Sequence, residues 1–395
     1  MWLKRATIAL AVLSMGAVTA ACGEDQKTGA DQKDELVIGT LQPITGPASS
    51  FGTGMVETMT IVFDQINESG GVKIDGKEYR LKLKAFDDEN KPERAQKVAR
   101  DAMNDGIRVM IGPFGTATTE GAYSIIANSD AFWLSSTANS PGLTRSENVY
   151  RTAMQIDQVD GAMIRFLEEH PDIKRVAMTT DQAHKGLADR TSDFVKDIEA
   201  LGREVVVNAK HQPGDSDFRP TVTKMKSADA EVYVFRGYAN EQIQYFKQVR
   251  ELTGDDTWLL GPHAISTAEM RKAFPDESLL KNTIGAGPRS GLDTFVAAGN
   301  KLASDLETKL GEDPFGYAVL AHDSVQILIE GLSRSSDLTA KSIMRAMDEL
   351  QAADVKGKTI DEFLPWDDGS LFKNREIKLT AEYMTWSPGV GWKAS

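Results

Sequence analysis

Apolar residues recur along this chain in two spacings, and the spacings alternate. "ELVIGTL" (Glu35–Leu41) is a short apolar run and "YRLKLKAF" (Tyr79–Phe86) alternates apolar with basic residues; both predict strands. Between them Met55, Met59, Val62, Phe63 and Ile66 fall at helical spacing, and "GGVKIDGKEY" reads as a turn. A second helix follows with Ala95, Val98, Ala99, Ala102 and Met103 inward. Then come the strand "IRVMIG", the helix "TTEGAYSIIANS" and the strand "AFWLSS". The pattern restarts with "RVAMTT", a helix near Gly186–Leu201, "EVVVNA", a helix around Pro220–Lys226, "AEVYVFRG", a helix over Asn240–Leu252 and "TWLLG". Such alternation builds parallel sheets with helices on both faces. The restart predicts an α/β chain of two doubly wound parallel-sheet lobes.

The tail breaks the alternation. "GLDTFVAAGNKLASDLETKLG" (Gly291–Gly311) and "DPFGYAVLAHDSVQILIEGLSRS" (Asp313–Ser335) read as consecutive helices covering the first lobe, and "EIKLTAEYMTW" (Glu376–Trp386) as a closing strand. A chain that returns to its first lobe must cross between lobes several times, which predicts a multi-strand hinge. The expected division is 36–153 with 286–357 in the first lobe and 154–285 with 358–395 in the second.

Composition agrees with two soluble lobes: 395 residues, 41% hydrophobic and 26% charged. The N-terminus stands apart. Lys4 and Arg5 precede an apolar stretch from Ala6 to Val18, then small residues end at Cys22, the chain's one cysteine. Residues 1–21 read as a secretory signal peptide and 22–35 as a flexible polar tether. The run before Cys22 resembles a bacterial lipobox, with Thr19 where leucine is usual, so Cys22 is expected to carry lipid and anchor an exported protein, periplasmic or at the cell surface. The net charge of −13 excludes nucleic acid as a favoured partner, and a monomer is expected.

In open α/β sheets ligands sit at the carboxyl ends of strands. Three predicted first-lobe loops end there with small polar groups: Ser49, Ser50 and Phe51; Gly115, Thr116 and Thr118; Thr137, Ala138 and Asn139. Hydroxyls beside helix N-termini suit a carboxylate, amide or phosphate, although each could equally be a cap or turn residue.

These stretches resemble the periplasmic leucine/isoleucine/valine-binding protein family, the type I substrate-binding proteins of ABC importers. The likeness runs from about Leu36 to the end, through "LVIGTLQPITGPASSFG", "SSTANSPGLT", "VYVFRGYANEQIQYFKQVRE", "LLGPHAIS" and "WDDGSL". It implies a binder rather than an enzyme, with no cofactor, that closes on an amino acid or related small carboxylate and meets ABC permease subunits in the inner membrane. It implies that Phe51 packs on the ligand, that Thr116 and the backbone near Thr137 hold an α-carboxylate, and that Asn139 contacts the same head group. Tyr238 would close from the second lobe, with His184 or Lys185 near a family tyrosine. His263 stands where amino-acid binders carry an acid, and Arg236 ends a nearby strand, so an extra carboxylate on the ligand is expected, with small amides and aromatic or dicarboxylic acids as alternatives. The family's first-lobe disulfide is replaced by Asn90 and Gly115. A ligand-binding sensor with the same fold and a hydrolase acting in the cleft are the other readings.

Other chemistry finds little support. "GTGMVE" ends in Glu57, whose charge would repel a pyrophosphate. His322, Asp323 and Ser324 are consecutive on a helix, where side chains are expected to diverge. Five scattered histidines give no metal-binding spacing.

Overall fold

The computed structural model describes residues 34–46, 48–140, 142–262, 267–288, 304–305, 308–309, 316–355, 365–379 and 381–394. The first half lays down β1 (Asp34–Gln42), α1 (Ser49–Glu68), β2 (Val72–Ile74), β3 (Lys77–Asp87), α2 (Pro92–Asn104), β4 (Val109–Ile111), α3 (Thr116–Ala127), β5 (Phe132–Ser135) and β6 (Val149–Arg151). There follow α4 (Ile156–Glu169), β7 (Arg175–Asp181), α5 (Lys185–Ala200), β8 (Glu204–His211), α6 (Arg219–Ser227), β9 (Val232–Arg236), α7 (Ala239–Thr253), β10 (Trp258–Gly261), α8 (Thr267–Ala273) and β11 (Thr283–Pro288). The last described elements are α9 (Gly316–Arg334), α10 (Ala340–Glu349), β12 (Phe372–Lys373), β13 (Glu376–Ile377), β14 (Ala381–Ser387) and β15 (Gly391–Ala394).

Two sheets result. The first runs β12-β13-β6-β5-β4-β1-β3-β2 and the second β15-β14-β11-β10-β9-β7-β8. Their centres are parallel, as the alternation predicts, because each strand returns through a helix. The three-residue β4 and four-residue β5 are buried throughout, as strands covered on both faces must be. On one face of the first sheet, Ala95, Val98 and Ala102 of α2 and Ala122 and Ile126 of α3 pack with Leu41, Met110 and Trp133. α9 packs against α1, where Met55, Met59, Val62 and Phe63 are buried.

The differences from expectation lie at the edges. "GGVKIDGKEY" is not only a turn: Val72–Ile74 pairs antiparallel with β3, a hairpin too short to show a period. The terminal pairs β12–β13, β11–β14 and β14–β15 are also antiparallel, so both sheets are mixed. The closing strand expected over Glu376–Trp386 is two strands in two sheets, broken near Lys378–Leu379. Residues 358–395 therefore divide between the sheets instead of lying wholly in the second. The helix expected over Gly291–Gly311 lies mostly outside the described residues.

Sheet membership makes the chain cross three times, after β6, after β11 and between β13 and β14. Side chains of α4 bind the last crossing: Gln158 donates to the Leu379 carbonyl and Arg165 to that of Ala381. On the first-sheet side, buried Arg151 of β6 meets Glu376 of β13 at 2.6 Å and also donates to the Ser140 carbonyl at 2.5 Å. No helix among the described residues is long and apolar enough to cross a membrane.

Candidate functional site

A cavity of about 540 Å³ has walls from both lobes. Ala48, Asn90 and Ala117 line it from the first, and Ala183, Lys185 and Tyr238 from the second. The loops involved follow the carboxyl ends of β1, β3, β4, β7 and β9, where the topology leaves helix N-termini facing outward.

The threonines after β4 divide their work. Thr118 and Thr119 close on their own turn: both hydroxyls donate to the Gly115 carbonyl, at 2.9 and 2.8 Å, and the Gly115 amide donates to Thr118 Oγ1. They cap α3. Thr116 does something else. Its Oγ1 accepts from the Asn139 and Ser140 amides at 3.2 and 3.4 Å and donates to Asn139 Oδ1 at 3.3 Å. It thereby ties the start of α3 to the loop after β5. Thr137 donates its hydroxyl to the Phe114 carbonyl at 2.5 Å, locking the same loop from behind.

Asn139 also faces the second lobe. A Cβ placed on Gly186, in the first turn of α5, would lie 2.2 Å from Asn139 Oδ1 and 3.4 Å from Ser140 Oγ. The helices α3 and α5, from opposite lobes, thus bring their N-terminal turns to one spot. The buried hydroxyls of Ser136 and Ser140 have no hydrogen-bond partner among the described residues. A second bridge joins the lobes where Asn90 Nδ2 donates to Tyr238 Oη at 3.3 Å. Burial pushes that phenol up to about 12, so it stays protonated. Asn90 Oδ1 also stands 3.1 Å from where a Gly115 Cβ would be, so the two residues expected to stand in for a disulfide are neighbours.

The remaining expected residues fall as follows. His184 precedes α5, accepts from the Leu187 amide at 3.4 Å, and has its ring 4.8 Å from that of Tyr238. Ser50 lies in the first turn of α1. Phe51, expected as a lid, is 1% exposed and stacks on Phe114 at 5.6 Å within the core. His263 lies outside the described residues.

Arg236 does not bring free positive charge to the cleft. It is fully buried, paired with Asp160 of α4, and donates to the Leu187 carbonyl at 3.2 Å. Its guanidinium lies 4.2 Å over the Phe194 ring. Its partner is a buried acid 76 residues away, which no local spacing reveals. Asn90, Asp160 and Gly186 were all missed for that reason: each acts across elements. On α9, His322 and Asp323 do not diverge but meet at 2.6 Å, while Ser324 turns to Thr152, also at 2.6 Å, so no relay forms.

A family model described as "Periplasmic binding protein" matches residues 35–369. The chain is 27% identical over 305 residues to the Leu/Ile/Val-binding protein BraC3 of Rhizobium johnstonii, spanning 76% of this chain and 80% of that one. Its fold matches the branched-chain amino acid transporter substrate-binding protein LivJ of Streptococcus pneumoniae, solved with isoleucine, at a TM-score of 0.74 and 20% identity over 92% of this chain and 99% of that one. It matches equally, at 0.74 and 20% over 92% and 96%, an ABC-transporter solute-binding protein of Rhodopseudomonas palustris solved with 3,4-dihydroxybenzoic acid. With the family model matched over most of its length and both sheets laid out as described, this chain belongs to the periplasmic binding protein family and carries the type I fold.

Proposed function

We propose that this protein captures a small solute bearing a carboxylate, an amino acid or a related acid, between its two lobes and delivers it to an ABC permease. The observation that carries the reading is the meeting of the α3 and α5 N-terminal turns at Thr116, Asn139 and Gly186, with the nearby Ser140 hydroxyl unpaired among the described residues. Helix N-termini present amide donors and a positive potential, so a carboxylate gains there while neutral groups do not. The two solutes named with the fold neighbours, isoleucine and a dihydroxybenzoic acid, share a carboxylate and little else. Burial of Arg236 against Asp160 takes Arg236 out of the argument for a second carboxylate on the ligand. Solute binding draws the lobes together, and the closed form is what a permease would read. Lipid on Cys22 would keep the protein at the membrane beside that permease.

The test is mass spectrometry of small molecules released from the purified protein by denaturation, followed by calorimetry with valine, isoleucine, benzoate and 3,4-dihydroxybenzoate. The expected result is saturable binding of at least one carboxylate at one site per chain, with the corresponding amide or methyl ester failing to bind. Equal affinity for acid and ester would overturn the carboxylate assignment.

A further inference from the structure

The second lobe gathers three donor groups that the carboxylate assignment does not invoke. Asp181 ends β7 and His211 ends β8, and these parallel strands pair with Asp181 in register with His211. Neighbours in register on parallel strands project to the same face. Glu241 joins them from the first turn of α7, which follows β9 on the other side of β7. One donor atom from each residue lies within 4.8 Å of the others.

Each of the three is held by one polar atom and leaves the other unused. Asp181 Oδ1 accepts from the Ala183 and His184 amides at 2.8 and 3.3 Å. Glu241 Oε1 accepts from the Gly214 amide at 2.5 Å. His211 Nδ1 lies 3.0 Å from Thr179 Oγ1. The other atoms, Asp181 Oδ2, Glu241 Oε2 and His211 Nε2, are buried with no hydrogen-bond partner among the described residues, and the last two are 4.0 Å apart. Asp181 is fully buried and His211 is 5% exposed. Gly237 leaves the room: a Cβ there would lie 2.9 Å from His211 Nε2.

We infer that Asp181, His211 and Glu241 bind a divalent transition-metal ion of the zinc class on the second-lobe side of the cleft. Two desolvated carboxylates without a cation are costly, and Asp215, whose charge reaches both, adds repulsion rather than relief. One imidazole nitrogen with two carboxylate oxygens is a borderline-hard set suited to zinc and its neighbours. The bonds from Thr179, Ala183, His184 and Gly214 orient the ligands as outer-shell partners do in metal sites. Three protein ligands leave a coordination position for water or solute, and Glu241 lines the cavity.

The experiment uses the protein purified without a polyhistidine tag, stripped with EDTA and titrated with Zn²⁺ and, separately, Mn²⁺ by calorimetry in the absence of solute. One equivalent of Zn²⁺ should bind. His211→Gln, Asp181→Asn and Glu241→Gln should each weaken it at least about tenfold, and Thr179→Val by about tenfold through loss of the imidazole's outer partner. The amide variants keep Oδ1 and Oε1 and hence the backbone bonds, and circular dichroism checks that each is folded. His170→Gln should change nothing. Absence of saturable Zn²⁺ binding, or binding that survives His211→Gln and Asp181→Asn unchanged, overturns the site. Because no solute is present, either result stands apart from the capture of a carboxylate.

Discussion

Replacing Arg236 by methionine asks whether that guanidinium serves the fold or the ligand. The variant keeps most of the side chain's length and its packing on Phe194, and removes the charge. Among the described residues Asp160, 1% exposed, would then keep only Arg190, whose Nε is 3.6 Å away and which is itself partly in solvent. The Leu187 carbonyl would lose its Arg236 donor. Stranding one member of a buried pair costs about 3–5 kcal/mol, and the remaining arginine places this case near the lower end. Adding Asp160→Leu removes the stranded acid, and the double variant should return to within about 1 kcal/mol of the parent. Urea denaturation followed by circular dichroism measures the stability, and calorimetry below the transition measures solute affinity. The single variant should lose about 3 kcal/mol while its folded fraction binds solute within about twofold of the parent. Unchanged stability with affinity lowered tenfold or more would refute the reasoning and return Arg236 to the binding site.

Gly186→Ala should weaken solute binding by roughly 2–10-fold with little effect on the unfolding midpoint, because the new Cβ displaces Asn139 from its bond to Thr116, a loss of about 0.5–1.5 kcal/mol confined to the closed form; calorimetry reads it, and unchanged affinity would mean the α3–α5 contact is not part of closure. Thr116→Val removes a hydroxyl that two backbone amides share, leaving the Asn139 and Ser140 donors without their acceptor, and should lower solute affinity about tenfold; a fall in thermal stability with unchanged affinity would assign Thr116 to loop structure alone. Cys22→Ser should abolish labelling by a fatty-acid analogue and release the protein from membranes, and failure of the parent to label would remove the lipid anchor.

The sequence alone determined the alternation of strand and helix, and with it two sheets with parallel centres. Helical spacing at Ala95, Val98, Ala99 and Ala102 named the buried face of α2 correctly, because burial of a helix stripe is written in local periodicity. It placed Thr116, Thr137 and Asn139 on adjoining loops, since strand ends and helix starts carry their own polar signals. Edges were less legible: β2 and β12 span three and two residues, too few for any period, and only pairing makes them strands. Partners were not legible at all. Thr116 turned out to bind a loop 23 residues on, while Thr118 and Thr119, of the same type and nearly the same place, merely cap. Arg236 found Asp160 only because α4 packs on the second sheet, and Asp181, His211 and Glu241, spaced by 30 residues each, converge only because β7, β8 and α7 share one sheet edge. Local periodicity reports which face of an element avoids water; which charged or polar groups then meet depends on strand order and helix packing, and those are settled by the burial of the whole chain.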